Sequence, residues 1–253
     1  MPDAARPSVL ITGAARRLGE TMARRFAQEG WHVVIHHHQS EEEADALAAE
    51  LGSAETVSFD LGDRDAIAAI CAELSARLGD WRALINCASV FELDDASQIG
   101  HAVFRSAMQV NAEGAVLLAQ QYLASAVAAS GRHVINVLDQ KLANTNPDFF
   151  SYTMSKAALE AATAMLAVEH AASADRIHGL YPGAMLPSFD QAEQEHETSG
   201  RLNLLERLTR PEELADAAVL MASGNLASGQ GIFVDSGQHL LSQERDVLFL
   251  ARQ

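Results

Sequence analysis

Lysine, tyrosine and cysteine are scarce in this sequence, and acidic residues outnumber basic ones. The 18 Lys and Arg residues against 34 Asp and Glu residues give a formal net charge of -16, which argues against nucleic acid as a partner. The two cysteines, Cys71 and Cys87, lack the spacing of a metal site and fit a reducing cytoplasm. No apolar run reaches the roughly 18 residues of a membrane-spanning helix. The first seven residues lack the apolar stretch of a signal peptide, so we expect a cytoplasmic protein.

Against this scarcity, two of the rare residues stand four positions apart. With three tyrosines and two lysines, a Tyr-x-x-x-Lys pattern would arise by chance only about 0.02 times in this chain. Tyr152 and Lys156 lie in a stretch, Ser151–Ala172, that lacks proline and glycine and is predicted to be helical, which places both on one helix face. An ammonium beside a phenol lowers the pKa of the phenol, and Tyr152 would then exchange protons near neutral pH. The alternative is a surface helix that carries both residues by coincidence.

Short β-branched runs alternate with alanine-rich helical stretches along the chain. The alternation is typical of a parallel sheet with helices on both faces, an α/β fold that 253 residues fill as a single domain. The irregular segment 184–210 follows a predicted strand, where it would cover the ligand crevice as a substrate lid; a plain surface loop is the alternative. Strands are predicted at 9–11, 32–35, 56–59, 83–85, 133–137, 177–180 and 231–234, and helices at 18–29, 41–51, 64–78, 102–129, 152–172 and 211–222.

The first predicted strand runs directly into a glycine turn and a helix. This turn reads Thr-Gly-Ala-Ala-Arg-Arg-Leu-Gly over residues 12–19. Free N–H groups and the helix dipole at such a helix start attract phosphate. Gly13 allows a tight turn and Gly19 allows the helix to pack closely on the sheet, so we expect a dinucleotide cofactor here.

The second predicted strand ends in His-His-His-Gln-Ser, residues 36–40, rather than in a carboxylate. An Asp or Glu here would bind the ribose hydroxyls of NAD, and the first acidic residue is Glu41. Neutral or protonatable donors near Arg16 or Arg17 suit a 2′-phosphate instead, so we predict NADP(H) as the cofactor. The three histidines do not predict a metal site, because alternate strand residues point to opposite faces.

Three further positions carry polar groups near predicted strands. Asp60 and Leu61 end the third strand, where they would meet an adenine ring; a carboxylate that starts a turn is the alternative for Asp60. The run Asn-Cys-Ala-Ser at 86–89 follows the fourth strand. Its side chains are small and mostly polar at a place where a cofactor must pass close to the backbone. Asn111 lies within a long predicted helix, where a buried amide needs hydrogen-bond partners.

In this order and spacing, these residues resemble the short-chain dehydrogenases/reductases over almost the whole chain. The resemblance implies a doubly wound, seven-stranded Rossmann fold, hydride transfer with a nicotinamide cofactor, and a homotetramer. By analogy with the family, the tail at 238–253 would enter a neighbouring subunit's site. The motifs that carry the resemblance are Thr12-Gly13 with Gly19, Asp60-Leu61, Asn86-Cys87-Ala88-Ser89, Asn111, Tyr152 with Lys156, and Pro182-Gly183. The implied cofactor contacts are Gly13, Arg16, Arg17, Leu18, Gly19, His38, Gln39, Ser40, Asp60, Leu61, Asn86, Ala88, Ser89, Pro182 and Gly183.

Arg17 and Asp139 depart from the family's usual pattern, which has a glycine and a catalytic serine at these positions. Together with the run at 36–40 and Ser89-Val90-Phe91, both departures are similar to the pteridine reductase branch, which includes bacterial dihydromonapterin reductases. That branch typically has an arginine at the position of Gln39. The resemblance therefore implies a pterin as the substrate.

A carboxylate at position 139 favours the same substrate on chemical grounds. While ionised, Asp139 cannot donate to a developing alkoxide, but it accepts hydrogen bonds from ring N–H and amino groups such as those of a pterin. Phe91 would stack on the bicyclic ring, unless it is a plain core aromatic. Arg17 would bridge a cofactor phosphate and the pterin, with a phosphate contact alone as the alternative. We also expect Ser89 to contact the substrate.

We predict NADPH-dependent reduction of a dihydropterin C=N bond to the tetrahydro form, without a metal. Lys156 would bind the nicotinamide ribose and lower the pKa of Tyr152. Coupled to Asp139, Tyr152 would relay a proton or orient the pterin, and Asn111 would hold a water that links Lys156 to solvent. The alternatives are a carbonyl or alcohol oxidoreductase of the same family, such as a 3-oxoacyl or sugar reductase, and a non-catalytic nucleotide-binding regulator.

Overall fold

One seven-stranded parallel sheet forms the centre of the protein in the computed structural model, which describes residues 6–188 and 191–253. In chain order the strands are β1 (Ser8–Ile11), β2 (His32–His37), β3 (Ala54–Ser58), β4 (Trp81–Asn86), β5 (His133–Val137), β6 (Arg176–Pro182) and β7 (Gly231–Val234). Their spatial order is β3-β2-β1-β4-β5-β6-β7. The order reverses direction between β1 and β4, and a doubly wound sheet binds its ligand at that point, beyond the carboxyl ends of the strands.

Helices cover both faces of the sheet because successive strand residues point to opposite sides. Val9 and Ile11 belong to one apolar core and Leu10, between them, belongs to the other. The helices are α1 (Arg17–Gln28), α2 (Glu41–Leu51), α3 (Arg64–Arg77), α4 (His101–Ala107), α5 (Ala115–Ser125), α6 (Phe150–Glu169), α7 (Glu193–Gly200), α8 (Pro211–Ala222) and α9 (Val247–Leu250). Side chains of α1 and α8 fill the first core, and those of α3 and α5 fill the second.

The predicted α/β fold and all seven predicted strands are confirmed, but the helix predicted at 102–129 is wrong in its interior and its end. A π-helical stretch, Met108–Gly114, separates α4 from α5. Gly114 lies so close to the third-strand turn that a Cβ would stand 2.3 Å from the carbonyl oxygen of Leu61. The helix ends at Ser125 because the backbone of Ala126 is extended.

The segment 184–210 is less irregular than predicted, since it contains α7. Phe189 and Asp190, which belong to the predicted lid, lie outside the described residues. Within the two described ranges, no helix is long and apolar enough to cross a membrane. No group of three or more His, Cys, Asp or Glu side chains there is arranged to hold a metal ion.

Two histidines of the sheet are buried in their neutral form. Nδ1 of His36 accepts a hydrogen bond from the Gly13 N–H at 3.1 Å, so its Nε2 carries the proton and donates to the Phe59 carbonyl at 3.0 Å. Burial lowers the pKa of His36 to about 4, and burial likewise lowers that of His133, on β5, to about 4. Because an unfolded chain protonates both near pH 6.5, acid favours unfolding.

We expect the contribution of these two histidines to the free energy of unfolding to be constant above about pH 6.5 and to fall as the pH drops toward 4. Between pH 7.5 and 5.5 the two histidines together should cost about 2 to 3 kcal/mol. Urea unfolding at both values measures this. His133→Leu, which cannot titrate, should reduce the loss by about 1 kcal/mol, and His101→Leu, at an exposed position of α4, should leave it unchanged. Equal stability of the wild type at both pH values would contradict the expectation.

Candidate active site

A carboxyl and a phenol share one hydrogen bond at the carboxyl end of β5. Asp139 follows this strand, and Tyr152 lies in the first turn of α6. The Tyr152 hydroxyl donates to Asp139 Oδ2 at 2.7 Å. The other oxygen, Oδ1, accepts from the backbone N–H of Lys141 at 2.8 Å, which fixes the orientation of the carboxyl group. The fold thus brings together two residues that the sequence singled out at a separation of thirteen positions.

Burial keeps protons on this pair. It raises the pKa of Tyr152 well above its ordinary value, and the neighbouring charge of Asp139 raises it further. Burial also raises the pKa of Asp139. The prediction that Lys156 lowers the pKa of Tyr152 is therefore wrong, because burial and the carboxyl group outweigh the ammonium. The pair can hold a proton between its two oxygens and pass one on.

Lys156 lies one helical turn after Tyr152 and is 2% exposed. Its ammonium donates to the Val137 carbonyl at 2.7 Å and lies 5.7 Å from the centre of the Tyr152 ring. Burial lowers the pKa of Lys156 to about 8, because the charged form loses solvation. The predicted pairing on one helix face is confirmed, since both residues lie four positions apart in α6.

Asn111 lies in the π-helical stretch and ties the loop after β4 to α6. Its Oδ1 accepts from the Val90 N–H at 2.8 Å, and its Nδ2 donates to the Val90 carbonyl at 2.9 Å and to Ser155 Oγ at 3.0 Å. The amide is buried, and these contacts satisfy it. Asn111 therefore holds the loop that carries Ser89 in place, while its role in holding a water stays a prediction.

Phe91 forms an aromatic wall with a residue that the sequence did not single out. Its ring stacks on Phe149 at a centroid distance of 4.1 Å and meets the edge of the Tyr152 ring at 4.7 Å. The side chain is 40% exposed, so it is not the buried core aromatic of the alternative. Phe149 has a φ of 52° at the start of α6. Ser89, two residues before Phe91, is exposed on the same loop.

Asp94 caps α6 from outside the helix, a contact that no short sequence motif predicts. Its Oδ1 accepts from the Ser151 N–H at 2.9 Å and its Oδ2 accepts from the Ser151 hydroxyl. Phe149, which immediately precedes the helix, has no polar side chain that could accept hydrogen bonds from its first N–H groups. The loop that carries Phe91 is thereby fastened to the helix turn that carries Tyr152.

The glycine turn has the shape of a nucleotide cradle. Gly13 has a φ of 65°, and a Cβ there would stand 2.9 Å from Ala88 Cα. At Gly19 a Cβ would stand 2.3 Å from the Gly13 carbonyl oxygen. Thr12 Oγ1 accepts from the Cys87 and Ala88 N–H groups at 2.9 and 3.0 Å and so aligns the two loops. The backbone approach that a dinucleotide needs is therefore built into the turn.

Arg17 has a φ of 58°, a conformation that explains why a glycine is usual at this position. One Nη of Arg17 donates to the Pro187 carbonyl of segment 184–210 at 2.9 Å, so the turn and that segment are in contact. Arg16 is exposed and pairs with Glu43 at 3.4 Å. Leu18 packs against the first core, which makes it a structural residue.

Three predicted cofactor contacts direct their side chains to other parts of this chain. Asn86 Nδ2 donates to Asn136 Oδ1 at 2.8 Å and to the Ala115 carbonyl at 3.1 Å, because the adjacent strands β4 and β5 place both amides side by side. Asp60 Oδ1 accepts from the Gly62 N–H at 2.8 Å, which supports the alternative in which it starts a turn. The Leu61 side chain is buried in the second core. Cofactor contact through their remaining atoms stays a prediction.

The remaining predicted cofactor contacts lie around the same edge of the sheet. At the end of β2, His38 and Gln39 are exposed and Ser40 is buried. Pro182 ends β6, and the Gly183 N–H donates to the Val234 carbonyl at 3.0 Å. The tail contacts this chain's own loop after β5, as described below, and its entry into a neighbouring subunit's site stays a prediction.

Comparisons with known proteins give the family. The family described as enoyl-(acyl carrier protein) reductase, which is of the short-chain dehydrogenase/reductase type, matches residues 13–239. FolM alternative dihydrofolate reductase 1 from Brucella canis, solved with NADP, is 32% identical with a TM-score of 0.87, and the match covers 96% of this chain and 97% of that one. Pteridine reductase 1 from Leishmania tarentolae is 27% identical, over 92% of this chain and 96% of its own length. The NAD-dependent glycerol dehydrogenase of Listeria innocua is 26% identical, over 90% and 92%.

The Tyr152–Lys156 pair, the nucleotide turn and these relatives agree on one assignment. The sheet order is that of a doubly wound dinucleotide-binding fold, and two of the similar proteins are named as a dihydrofolate reductase and a pteridine reductase. The chain belongs to the short-chain dehydrogenase/reductase family of oxidoreductases, in its pteridine reductase branch.

Proposed function

We propose that this protein reduces the C=N bond of a dihydropterin to the tetrahydro form with NADPH. The observation that carries the proposal is the hydrogen bond between Asp139 and Tyr152, with a carboxyl group where a carbonyl reductase of this family has a hydroxyl. A carboxyl group accepts hydrogen bonds from the N–H and amino groups of a pterin in either protonation state, and when protonated it can also return a proton to Tyr152. The similarity to a dihydrofolate reductase and a pteridine reductase supports the same substrate class.

The residues around the glycine turn fit NADP(H). The turn leaves no room for a Cβ at Gly13 or Gly19, as a phosphate cradle requires. β2 ends without a carboxylate that could bind the ribose hydroxyls, and His38 and Gln39 are exposed at this end. Arg16 belongs to the glycine turn at residues 12–19. Such donors suit a 2′-phosphate. The similar Brucella canis protein was solved with NADP, which supports the choice.

The cofactor supplies a hydride to the carbon of the C=N bond, and the protein supplies a proton to the nitrogen. In the proposed reaction Asp139 starts protonated, and burial favours this form because it raises the pKa of the carboxyl group. As the Tyr152 hydroxyl gives its proton to the substrate nitrogen, its oxygen takes the proton from Asp139, so the carboxyl ends ionised. Solvent then returns one proton. One hydride and one proton thus convert the dihydropterin to the tetrahydropterin.

The surrounding residues would orient the substrate and exclude water. Phe91, stacked on Phe149, presents an aromatic side chain beside the Tyr152 hydroxyl, where a bicyclic ring can stack. Lys156 places a positive charge below the same phenol and offers its ammonium to the nicotinamide ribose. Arg17 joins the turn to segment 184–210, which would act as the substrate lid. A homotetramer and a cytoplasmic location stay predictions.

One panel of assays tests the proposal. NADPH oxidation should be followed with dihydromonapterin, dihydrobiopterin, dihydrofolate and an acetoacetyl thioester, and repeated with NADH. We expect kcat/KM to be at least about 10-fold higher for one of the pterins than for the thioester. We also expect kcat/KM to be at least about 10-fold higher with NADPH than with NADH. In each comparison the poorer compound loses at least one charge-assisted hydrogen bond, which costs about 1.5 to 3 kcal/mol. Faster turnover of the thioester would favour the carbonyl reductase instead, and equal rates with NADH would refute NADPH as the preferred cofactor.

A further inference from the structure

The C-terminal segment of the chain is fastened to the loop that carries Asp139. Arg245 forms hydrogen bonds of 2.7 to 3.0 Å with both oxygens of Asp148, whose side chain is almost completely buried. The Asp246 N–H donates to the same carboxylate at 2.8 Å. Phe249, in α9, stacks on Phe149 at a centroid distance of 6.1 Å. Residues from the end of the chain thus complete the wall behind Tyr152.

A buried ion pair lies at the centre of this contact. Lys141 is 3% exposed, and its Nζ lies 2.9 Å from Asp246 Oδ2. The same Nζ donates to the Asp148 carbonyl at 2.7 Å and stands 5.3 Å from the centre of the Phe149 ring. Burying a charged lysine is costly unless a partner and hydrogen bonds compensate, and this ammonium has both.

The ion pair is connected to the reacting groups through two hydrogen bonds. The backbone N–H of Lys141 holds Oδ1 of Asp139, and Oδ2 of Asp139 holds the Tyr152 hydroxyl. Moving the Lys141 side chain would therefore move the N–H that orients the carboxyl. Both lysines of the sequence, Lys141 and Lys156, are buried on this one site, whereas the 16 arginines are spread over the chain.

We propose that Lys141 and Asp246 are positioning residues of the active site, and that their ion pair makes the C-terminal segment a required part of it. The pair holds Asp139 against Tyr152 and sets the local charge around the proton that they share. This inference rests on the proposed role of Asp139 and Tyr152 in proton transfer, but not on a pterin as the substrate.

The charges that face Asp139 come from three elements and act in opposite directions. Burial raises the pKa of Asp139, and the hydrogen bonds from Lys141 N–H and Tyr152 lower it. The Asp246 carboxylate, on the C-terminal segment, raises this pKa, and the Lys141 ammonium lowers it. Behind Tyr152, on α6 and on the loop after β4, lie Lys156 and Cys87. A protonated Asp139 is the active form, so kcat should fall as the pH rises through the pKa of the pair.

The falling limb is the part of the pH profile in which kcat decreases as the pH rises. Two variants should shift this limb in opposite directions. Asp246→Asn removes a negative charge and keeps a cap for α9, so the limb should move to lower pH by about half a unit. Lys141→Met removes the positive charge and should move the limb to higher pH by a similar amount. Both should lower kcat by about 3- to 30-fold while the KM for NADPH stays within about 2-fold. The measurement is kcat against pH with the full-length chain.

Three controls separate positioning from general stability. Lys141→Arg, which keeps the charge, should recover most of the lost kcat. Glu244→Gln removes the same charge at an exposed position two residues before Asp246 and should change neither kcat nor the limb. Melting temperatures show whether each variant is folded. If Lys141→Met does not fold, Asp246→Asn and Lys141→Arg still distinguish a positioning role from a loss of stability.

Limbs that stay in place, or that move in the same direction in both variants, would overturn the proposal. If the wild type reduces a ketone and no dihydropterin, the proposed function fails, and the same profiles measured with the ketone still test the ion pair.

Discussion

Tyr152→Phe should lower kcat with a dihydropterin by about 10²- to 10⁴-fold, the usual contribution of a general acid. The substitution removes only the hydroxyl that donates to Asp139 at 2.7 Å. The ring, 7% exposed and 4.7 Å from that of Phe91, can keep its packing as phenylalanine. Affinity for NADPH should change by less than about 2-fold, because the turn at residues 12–19 does not involve the phenol. Steady-state kinetics and NADPH binding by fluorescence measure the two effects.

Tyr181→Phe is a matched control for this experiment. The Tyr181 hydroxyl also donates to a carboxylate, Glu160 Oε1, at 2.8 Å, and its ring is also stacked, on Phe233. Loss of this hydroxyl should cost stability of about 1 to 2 kcal/mol and leave kcat within about 2-fold. Tyr152→Phe with near wild-type turnover would remove Tyr152 from the reaction.

Asp139→Ser should reduce kcat/KM for the dihydropterin by about 100-fold or more and should affect a ketone far less. A serine hydroxyl has one oxygen where the carboxyl group has two, so it accepts fewer hydrogen bonds from a pterin, and it does not return a proton to Tyr152 as a protonated carboxyl group does. Its hydroxyl can, however, donate to a developing alkoxide, which helps carbonyl reduction. The ratio of kcat/KM for dihydropterin over acetoacetyl thioester is the quantity to measure, and we expect it to fall by at least about 10-fold.

Asp139→Asn is the second variant that this prediction needs. The amide oxygen can still accept from the Lys141 N–H, so the loop should keep its shape. The amide cannot give Tyr152 a proton, so turnover of the dihydropterin should be as low as in Asp139→Ser, without the gain for the ketone. An unchanged substrate ratio in Asp139→Ser would show that the carboxylate does not select the substrate.

The strands could be predicted because burial on both faces of a parallel sheet leaves continuous apolar runs such as Val33-Val34-Ile35. The reacting pair could be predicted because its spacing within one helix is a local property. Asn86 shows the limit: whether its amide faces a cofactor or Asn136 depends on the register of β4 against β5, which no short motif records.

The supporting residues could not be predicted for a related reason. Asp94 caps a helix from a distance of 57 positions, and Asp246 pairs with Lys141 from a distance of 105. An acidic residue on an acidic chain carries no local sign of such a role. The net direction of the Tyr152 pKa shift was predicted wrongly, because a spacing of four residues gives the shared helix face but not the burial, which raises this pKa.

The burial of both lysines gives the chain an unusual chemical property. In the folded protein every ε-amine is shielded at one place, 2% and 3% exposed. An amine-reactive ester or a lysine-specific protease can therefore act on a lysine only when the walls formed by α6 and the C-terminal segment part. The rate of lysine labelling therefore reports how often that single region opens. Mass spectrometry can follow this labelling without a probe attached to the protein beforehand.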